Sequence, residues 1–185
     1  EVNPFVNTIT LLNGIVLKIG EAIGNVSERD IRRVQIRETI ISHFEKEESN
    51  FYKGIKTLSL FFIDEVAKYK WYDNEGKEQN GEYADIFERE YVSILNEIIR
   101  LDNVTTPYIA YLRGLENKKV HNGYFSIDKK GQSTDPSIVR RGENAGLSDD
   151  ISAYDLILKN KERLLSFEEP TQFIFTHSAL REGWD

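Results

Sequence analysis

Three short segments along the chain are strand candidates, and two of them are strongly apolar. Residues 57–63 (T-L-S-L-F-F-I) and 172–176 (Q-F-I-F-T) are rich in strand-forming residues and lack a regular polar alternation, and residues 120–127 form a third candidate. A strand that is apolar on both faces is typical of a parallel sheet, because helices cover both sides of such a sheet. The pattern therefore predicts one parallel sheet that contains all three segments.

Helical periodicity fills the intervals between these strands. Apolar residues recur every three or four positions in residues 87–98 and 153–165, which predicts two amphipathic helices. Thr106 followed by Pro107 predicts the start of a further short helix, since proline is well tolerated in a first helical turn. Strand, helices, strand, helix, strand is the order of a three-layer α/β domain.

The first part of the chain has a different pattern. Asn13-Gly14 predicts a hairpin turn between strands at residues 8–12 and 15–19, because this dipeptide accepts positive φ angles at little cost. Ser27, with an acid at the third following position, predicts the N-cap of a helix that extends to about residue 48. The apolar stripe of this helix comprises Ile36, Ile40, Ile41 and Phe44. Its opposite face carries Arg32, Arg33, Arg37, Glu38, Glu45 and Lys46, and we interpret that face as a solvated surface.

Two polar stretches interrupt the pattern. Residues 69–83 contain Asn and Gly pairs and are interpreted as an excursion or mobile loop. Residues 129–150 combine glycines, a proline and many polar residues, and they are the segment for which disorder is predicted. We expect residues 1–50 to form a hairpin-and-helix appendage and residues 51–185 to form the α/β domain with its parallel sheet.

Composition and charge exclude several classes of protein. The 185 residues are 39% hydrophobic and 30% charged, which is typical of a folded globular domain. The absence of cysteine excludes disulfides, thiolate metal sites and cysteine nucleophiles. A net charge of −7 disfavours a dedicated nucleic-acid-binding module, which usually has a basic excess. No apolar run approaches the roughly 20 residues that a membrane-spanning helix needs, so no membrane association is expected.

Both ends of the chain suggest a piece of a longer protein. The chain begins with Glu1, contains no methionine, and stops at Asp185 directly after Gly183-Trp184. We therefore expect an excised segment.

The segment Leu60-Phe61-Phe62-Ile63 followed by Asp64 and Glu65 is similar to the strand that presents a magnesium-binding carboxylate in many ATPases. Such a site needs the phosphate-binding loop G-x-x-x-x-G-K-[ST], and the chain has none. The two acids are therefore interpreted as the start of a short helix through Val66 and Ala67, and their spacing to Lys68 as an i, i+3 or i, i+4 ion pair.

The three histidines show no zinc-binding spacing. His43, His121 and His177 are far apart in sequence, and no H-x-x-x-H pattern links them. His43 lies near the helical stripe and is interpreted as a packed core residue. No metal site is predicted.

The C-terminal segment F-I-F-T-H-S-A-L-R-E-G-W-D (residues 173–185) is the best candidate for chemistry. A strand ends at Thr176, and the small polar residues His177 and Ser178 follow it. Parallel sheets place ligands beyond the carboxyl ends of their strands, and a turn that opens a helix there offers free N–H groups to a phosphate. An ordinary strand–loop–helix junction is the structural alternative.

This segment also carries a family resemblance. A-L-R-E-G-W-D at residues 179–185 resembles motif V of superfamily 2 helicases, and it is most similar to the motor subunit (Res) of type III restriction enzymes. Four further segments resemble that subunit in the same order: Q-I-R-E-T-I (35–40), K-T-L-S-L-F-F-I-D (56–64), G-Y-F-S-I-D (123–128) and K-E-R-L-L-S-F-E-E-P (161–170).

The resemblance implies a partial RecA-like domain, the second of the two motor domains, with motif IV at residues 57–63. It implies that the parent is an ATP- and Mg²⁺-dependent DNA translocase coupled to an endonuclease in the bacterial cytoplasm. Its partners would be DNA, the methyltransferase (modification) subunit and the remaining motor and nuclease domains. By position in motif V, His177, Ser178 and Arg181 would contact DNA, whereas Glu182, Gly183 and Asp185 would face the ATP cleft.

The chain departs from the family pattern in ways that bear on activity. The phosphate-binding loop, the Asp-Glu magnesium motif, the arginine-bearing motif VI and the nuclease domain are all missing. We expect this chain alone to have no catalytic activity and to bind neither ATP nor DNA strongly. The alternatives are a non-catalytic interaction module that contacts the methyltransferase through residues 70–99, a segment of another superfamily 2 helicase, and a free-standing nucleotide-binding protein.

Overall fold

The computed structural model describes residues 2–3, 8–10, 15–18, 27–101, 105–115, 120–135 and 159–177. Within these ranges the helices are α1 (Glu28–Phe51), α2 (Glu82–Leu101), α3 (Pro107–Gly114) and α4 (Lys161–Leu164), with one 3-10 turn at Val66–Lys68. The strands are β1 (Val2–Asn3), β2 (Thr8–Thr10), β3 (Val16–Lys18), β4 (Ser59–Ile63), β5 (Lys70–Tyr72), β6 (Glu78–Asn80), β7 (His121–Tyr124), β8 (Ser126–Ile127), β9 (Ser133–Thr134) and β10 (Phe173–His177).

The three predicted core strands form one parallel sheet. Strand β10 lies in the centre, with β4 on one side and β7 on the other, and both pairings are parallel. Phe173 of β10 lies opposite Ser59 and His121, so the strands start level with one another. This arrangement confirms the α/β prediction and brings the C-terminal strand to the middle of the sheet.

Helices cover both faces of this sheet, which explains the lack of polar alternation in β10. Phe173 and Phe175 belong to the large core cluster that includes α1, α2 and α3. Ile174, between them, packs with Leu164 of α4 on the other face. All three side chains are fully buried, and the domain therefore has the predicted three layers.

Helix α1 begins and packs as its sequence predicts. The Ser27 hydroxyl accepts a hydrogen bond from the Asp30 amide, and the Asp30 carboxylate accepts one from the Ser27 amide, which completes a capping box. The residues Ile36, Ile40 and Phe44 are buried, whereas Ile41 packs at the margin of the core. The helix continues to Phe51, slightly beyond the predicted end.

The charged face of α1 is only partly a solvated surface, which corrects that interpretation. Arg33 Nε lies 2.5 Å from Glu90 Oε1 and Arg37 Nη1 lies 3.0 Å from Glu90 Oε2, so both arginines bind the neighbouring helix α2. Glu90 is 5% exposed, and its two cations compensate for the loss of water. Glu45 and Lys46 are exposed, as predicted.

A buried polar cluster joins α1, α3 and the start of β10. Glu47 is completely buried, and its carboxylate accepts hydrogen bonds from Tyr108 Oη at 2.8 Å and from the Gln172 amide. His43 is 2% exposed, binds Ser59 Oγ through Nδ1 at 2.8 Å and stacks near Phe173. Its interpretation as a packed core histidine is confirmed. Burial and the nearby carboxylate raise the pKa of Tyr108 above its usual range.

Residues 70–80 of the polar stretch form a β-hairpin, and residues 82–83 already belong to α2, so the interpretation of residues 69–83 as a mobile loop is wrong. Strands β5 and β6 pair antiparallel, with Trp71 opposite Gln79. Asp73 Oδ1 accepts hydrogen bonds from the amides of Glu75 and Lys77, and Gly76 supplies a φ of 77°. The Asp73 side chain stabilises the turn, so the hairpin does not depend on an apolar stripe along its strands. Hydrophobic periodicity therefore did not detect these strands.

The segment after β7 also forms a hairpin. Residues 120–127 do not make one strand, because the chain breaks at Phe125 and Ser126–Ile127 pairs instead with Ser133–Thr134. The prediction of disorder from residue 129 is therefore wrong up to residue 135, where Gly131 at a φ of 81° forms the turn. Residues 136–150 lie outside the described residues, as do residues 153–158 of the predicted last helix.

The N-terminal hairpin is confirmed in β2 and β3, which pair antiparallel with Thr10 opposite Val16. The Asn13-Gly14 turn lies outside the described residues. Strand β1, which pairs antiparallel with β2, was not predicted. The boundary at residue 50 stays a prediction, although α1 shares its core with the sheet.

Candidate functional site at the carboxyl rim of the sheet

Strands β4 and β10 end side by side. His177, the last residue of β10, lies opposite Ile63, the last residue of β4. In open α/β sheets ligands bind beyond the carboxyl ends of parallel strands, because backbone groups and loop side chains converge there. We call this region, built from Ile63, Asp64 and His177, the carboxyl rim.

His177 is the one predicted site residue within the described part of the chain. Its side chain is partly exposed, and Nε2 lies 3.1 Å from the backbone oxygen of Asp64. That distance fits an Nε2–H group that donates to the carbonyl. The contact ties the end of β10 to the residue that follows β4.

Asp64 and Glu65 form the predicted local ion pairs with Lys68. Lys68 Nζ lies 2.6 Å from Asp64 Oδ2 and 3.4 Å from Glu65 Oε1. The hydrogen bond from Lys68 lowers the pKa of Asp64, and the same bond raises the pKa of Lys68. The interpretation of Asp64 and Glu65 as local ion-pair partners of Lys68 is confirmed, since both carboxylates lie within ion-pair distance of its ammonium group.

A pocket of about 450 Å³ opens at the carboxyl rim. Helix α1 contributes Arg32 and Gln35 to its wall, and the strand ends contribute Asp64 and His177. The remaining lining is apolar or aromatic: Ile36, Phe61, Phe62, Ile63, Tyr83 and Phe175. The pocket therefore combines a hydrophobic interior with a few polar groups, the usual composition of a ligand site.

Sequence reasoning missed both residues: it assigned Arg32 to a solvated face and gave Gln35 no place in a site. Arg32 stands four positions before Ile36, so it prolongs the buried stripe by one turn towards the rim. Its Nη1 donates to Gln35 Oε1 at 3.0 Å. A polar residue that continues an apolar stripe is the signal that would have placed it there.

The other predicted site residues lie outside the described residues. This applies to Ser178 and Arg181 of the predicted DNA contacts and to Glu182, Gly183 and Asp185 of the predicted ATP cleft. Their roles stay predictions.

A larger cavity of about 1050 Å³ lies at the edge of β7, near its amino end. Its charges largely pair with each other, since Lys70 binds Glu78 at 3.0 Å and Arg163 binds Glu169 at 2.6 Å. His121 lies 3.4 Å from a carboxylate oxygen of Glu88, and burial lowers its pKa. This cavity is a weaker candidate than the carboxyl rim, because its charges are paired with one another and it lies away from the carboxyl ends of the strands.

In the parts of the chain that the structure describes, no three His, Asp or Glu side chains cluster in a way that could hold a metal ion. Among the described helices, none is long and apolar enough to cross a membrane.

The three layers, the parallel order of the sheet and the open rim are those of a partial RecA-like α/β domain. The chain is 35% identical over 184 residues to the Res subunit of the type III restriction-modification enzyme EcoPI from Escherichia phage P1. It is 34% identical over 185 residues to the EcoP15I Res subunit of Escherichia coli, and 32% identical over 204 residues to the StyLTI Res subunit of Salmonella typhimurium. The chain is thus a relative of the type III Res subunits, as its five motif segments predict.

The similarity extends over almost the whole of this chain but over only a small part of each relative. The matches cover 95–97% of the chain but only 17–18% of the relatives. No family model matches the chain.

Proposed function

We propose that this chain is part of the second motor domain of a type III restriction enzyme Res subunit and carries motifs IV to V. The parent would translocate DNA with ATP and cleave it in association with a methyltransferase subunit in the bacterial cytoplasm. The observation that carries the proposal is similarity to Res subunits over almost the whole chain. The parallel sheet with an open carboxyl rim supports it, because motor domains of this fold bind ligands at that edge.

Within this proposal the residues after β10 form one wall of a cleft. His177, Ser178 and Arg181 would contact DNA, and Glu182, Gly183 and Asp185 would face ATP. His177 supports this assignment by its place at the end of the central strand.

The same proposal explains why the chain alone should be inactive. ATP hydrolysis in such motors needs donors on both sides of the phosphates, because charge develops there in the transition state. The sequence has no phosphate-binding loop, and the Asp64 carboxylate is bound to Lys68 rather than available to Mg²⁺. The described residues therefore do not fit Mg²⁺–ATP by themselves, and no step of hydrolysis is assigned to them.

A comparison of ATP turnover tests the proposal. The 185-residue chain should show no ATP hydrolysis above background. A longer protein that carries this chain between the other motor and nuclease domains should hydrolyse ATP when its methyltransferase subunit and a DNA with the recognition site are present. Absence of turnover by the longer protein under those conditions would contradict the motor assignment.

A second candidate is a non-catalytic interaction module on the same scaffold. The observation that favours it is Trp71 on the β5–β6 hairpin, whose side chain is 47% exposed. Exposed tryptophans are typical of the residues that contribute most to protein–protein binding. Tight binding of the methyltransferase subunit by the isolated chain, together with an inactive longer protein, would support this candidate instead.

A further inference from the structure

Helix α1 contributes two polar side chains to the rim pocket, although none of the motifs described above assigns a ligand to this helix. Arg32 and Gln35 of α1 line the same pocket as Asp64 and His177, although the four residues come from three separate segments of the chain. We propose that this pocket binds one nucleotide unit of a DNA strand, with the Arg32 guanidinium and the Gln35 amide holding its phosphate. The inference rests on the proposed motor function and adds α1 to its DNA-binding surface.

Arg32 keeps hydrogen-bonding capacity that the described residues do not use. Of its five N–H groups, one on Nη1 binds Gln35 Oε1 at 3.0 Å, and Nη2 lies 3.5 Å from Glu28 Oε1. The Glu28 pair is long and its carboxylate is 70% exposed, so it competes weakly with a phosphate. The buried Nε has no hydrogen-bond partner among the described residues. The Arg32 side chain is 39% exposed and lines the pocket.

The Gln35 amide adds a second donor beside the guanidinium. Its oxygen is occupied by Arg32, and no described residue bonds its nitrogen. The two side chains therefore present a planar fork and an amide N–H₂ group from neighbouring positions of one helix. Such a set suits a phosphate group, which accepts several hydrogen bonds at once.

The carboxylate in the pocket does not exclude an anion. Asp64 is the acid nearest the strand ends, and Lys68 neutralises it at 2.6 Å. Arg32 is also close enough to lower the pKa of Asp64, after the larger effect of Lys68. His177 also lines the pocket, and its Nε2–H group donates to the backbone oxygen of Asp64. Lys68 thus offsets the charge of Asp64, and among the described lining residues Arg32 is the one arginine or lysine that faces the pocket.

The apolar part of the pocket suits the sugar and base of the same nucleotide. Phe62 is 50% exposed at the rim, whereas Tyr83 is 6% exposed and closes the interior. Aromatic surfaces bind bases of any sequence by stacking. A volume of about 450 Å³ accommodates a single nucleotide, and a long polyphosphate would extend beyond it.

Fluorescence anisotropy with a labelled single-stranded oligothymidylate and a labelled duplex tests the inference on the 185-residue chain at low salt. Arg32→Ala should weaken binding of the preferred probe by about 3- to 10-fold and lower the slope of log K against log salt by about 1. Arg32→Lys, which keeps the charge but loses the fork, should give an intermediate loss.

Arg29→Ala is the matched control. Arg29 lies on the same helix, carries the same charge and pairs with Glu82, but it does not line the rim pocket. Its removal should change binding less than 2-fold. Equal losses for Arg29→Ala and Arg32→Ala would overturn the inference, since non-specific attraction would then explain both. Complete displacement of DNA by millimolar ATP, or no binding by the wild-type chain, would also overturn it.

The longer protein separates this inference from the proposed function. DNA-stimulated ATP hydrolysis by the wild type confirms the motor assignment alone. If Arg32→Ala then leaves the DNA concentration for half-maximal stimulation unchanged, the motor assignment stands and the role of Arg32 is excluded. An increase of several-fold in that concentration, with an unchanged maximal rate, is the expected result.

Discussion

At the scale of single residues, the buried charges of this chain have partners far away in the sequence. Glu90 on α2 is bound by Arg33 and Arg37 on α1, more than fifty positions earlier. Lys56 is 6% exposed, and its ammonium donates to the backbone oxygens of Ser166 and Glu169. Burial lowers the pKa of Lys56 to about 8. Each group would be costly to bury alone, so each fixes the approach of two distant segments.

Replacement of Glu90 tests the contribution of the α1–α2 ion pair. We expect Glu90→Gln to lower the free energy of unfolding by roughly 1–3 kcal/mol at pH 7, because two arginines lose a charged acceptor. Urea denaturation followed by circular dichroism measures the change. Glu97→Gln is the control, since this carboxylate is 56% exposed and lies 3.4 Å from Arg37. The control should change stability by less than about 0.5 kcal/mol.

The same variant should alter the response of the chain to acid. Burial opposes ionisation of Glu90, but the hydrogen bonds from Arg33 and Arg37 outweigh it and hold its pKa below the ordinary value of 4.5. The stabilisation is therefore fully present above pH 4.5 and is lost as the pH falls through the lower folded-state pKa. Wild type and Glu90→Gln should thus converge in stability below pH 4.5; a constant difference down to pH 2 would contradict this.

At the scale of elements, the β5–β6 hairpin shows how a polar segment becomes ordered. Its strands have no continuous apolar face. Instead, the Asp73 carboxylate closes the turn by accepting backbone hydrogen bonds. The two ends of the hairpin are joined by a hydrogen bond from the Gly81 amide to the Tyr69 backbone oxygen at 2.7 Å. Gly81 then leads directly into α2. The close backbone contact explains why glycine stands at this junction, since any Cβ would collide with the backbone of Ala67 and Lys68.

A glycine pair tests this junction. Gly81→Ala should destabilise the chain by roughly 1–3 kcal/mol, because the obstructing atoms belong to backbone that cannot move aside. Gly114→Ala, at the end of α3, has open space around its Cβ and should be neutral or stabilising by up to about 1 kcal/mol. Thermal unfolding of both variants measures the difference. Similar melting temperatures would contradict the prediction, because the backbone around residue 81 would then accommodate a Cβ atom without loss of stability.

At the scale of the whole molecule, the N-terminal helix and the parallel sheet share one hydrophobic core. Ile40 and Phe44 of α1 belong to the same buried cluster as Phe87, Tyr91 and Phe173. The buried Glu47 cluster reinforces this by bonding α1 to α3 and to Gln172. Removal of α1 would therefore expose both apolar surface and unpaired polar groups.

Two truncations test that dependence. Deletion of residues 1–26 should preserve a single cooperative urea transition, because α1 and its capping box stay intact. Deletion of residues 1–50 should abolish cooperative unfolding and produce binding of a hydrophobic dye, since the sheet loses one of its layers. A cooperative transition in the shorter chain would instead support a domain boundary at residue 50.

The sequence by itself determined the elements that depend on local patterns. The capping box of α1, the periodicity of α2, the proline at the start of α3 and the doubly apolar strands act within a few residues, so they predicted the α/β class and the parallel sheet. The five motif segments pointed to the type III Res subunits, and the matches to three such subunits agree.

Only the tertiary structure decided which distant residues meet. Periodicity assigns a polar residue to the outside of its helix, but it cannot say whether solvent, another helix or a pocket lies there. Thus Arg33 and Arg37 bind Glu90, and Arg32 lines the same rim pocket as His177. The two polar hairpins were missed for a related reason, since their strands are held by backbone pairing and turn contacts rather than by an apolar face.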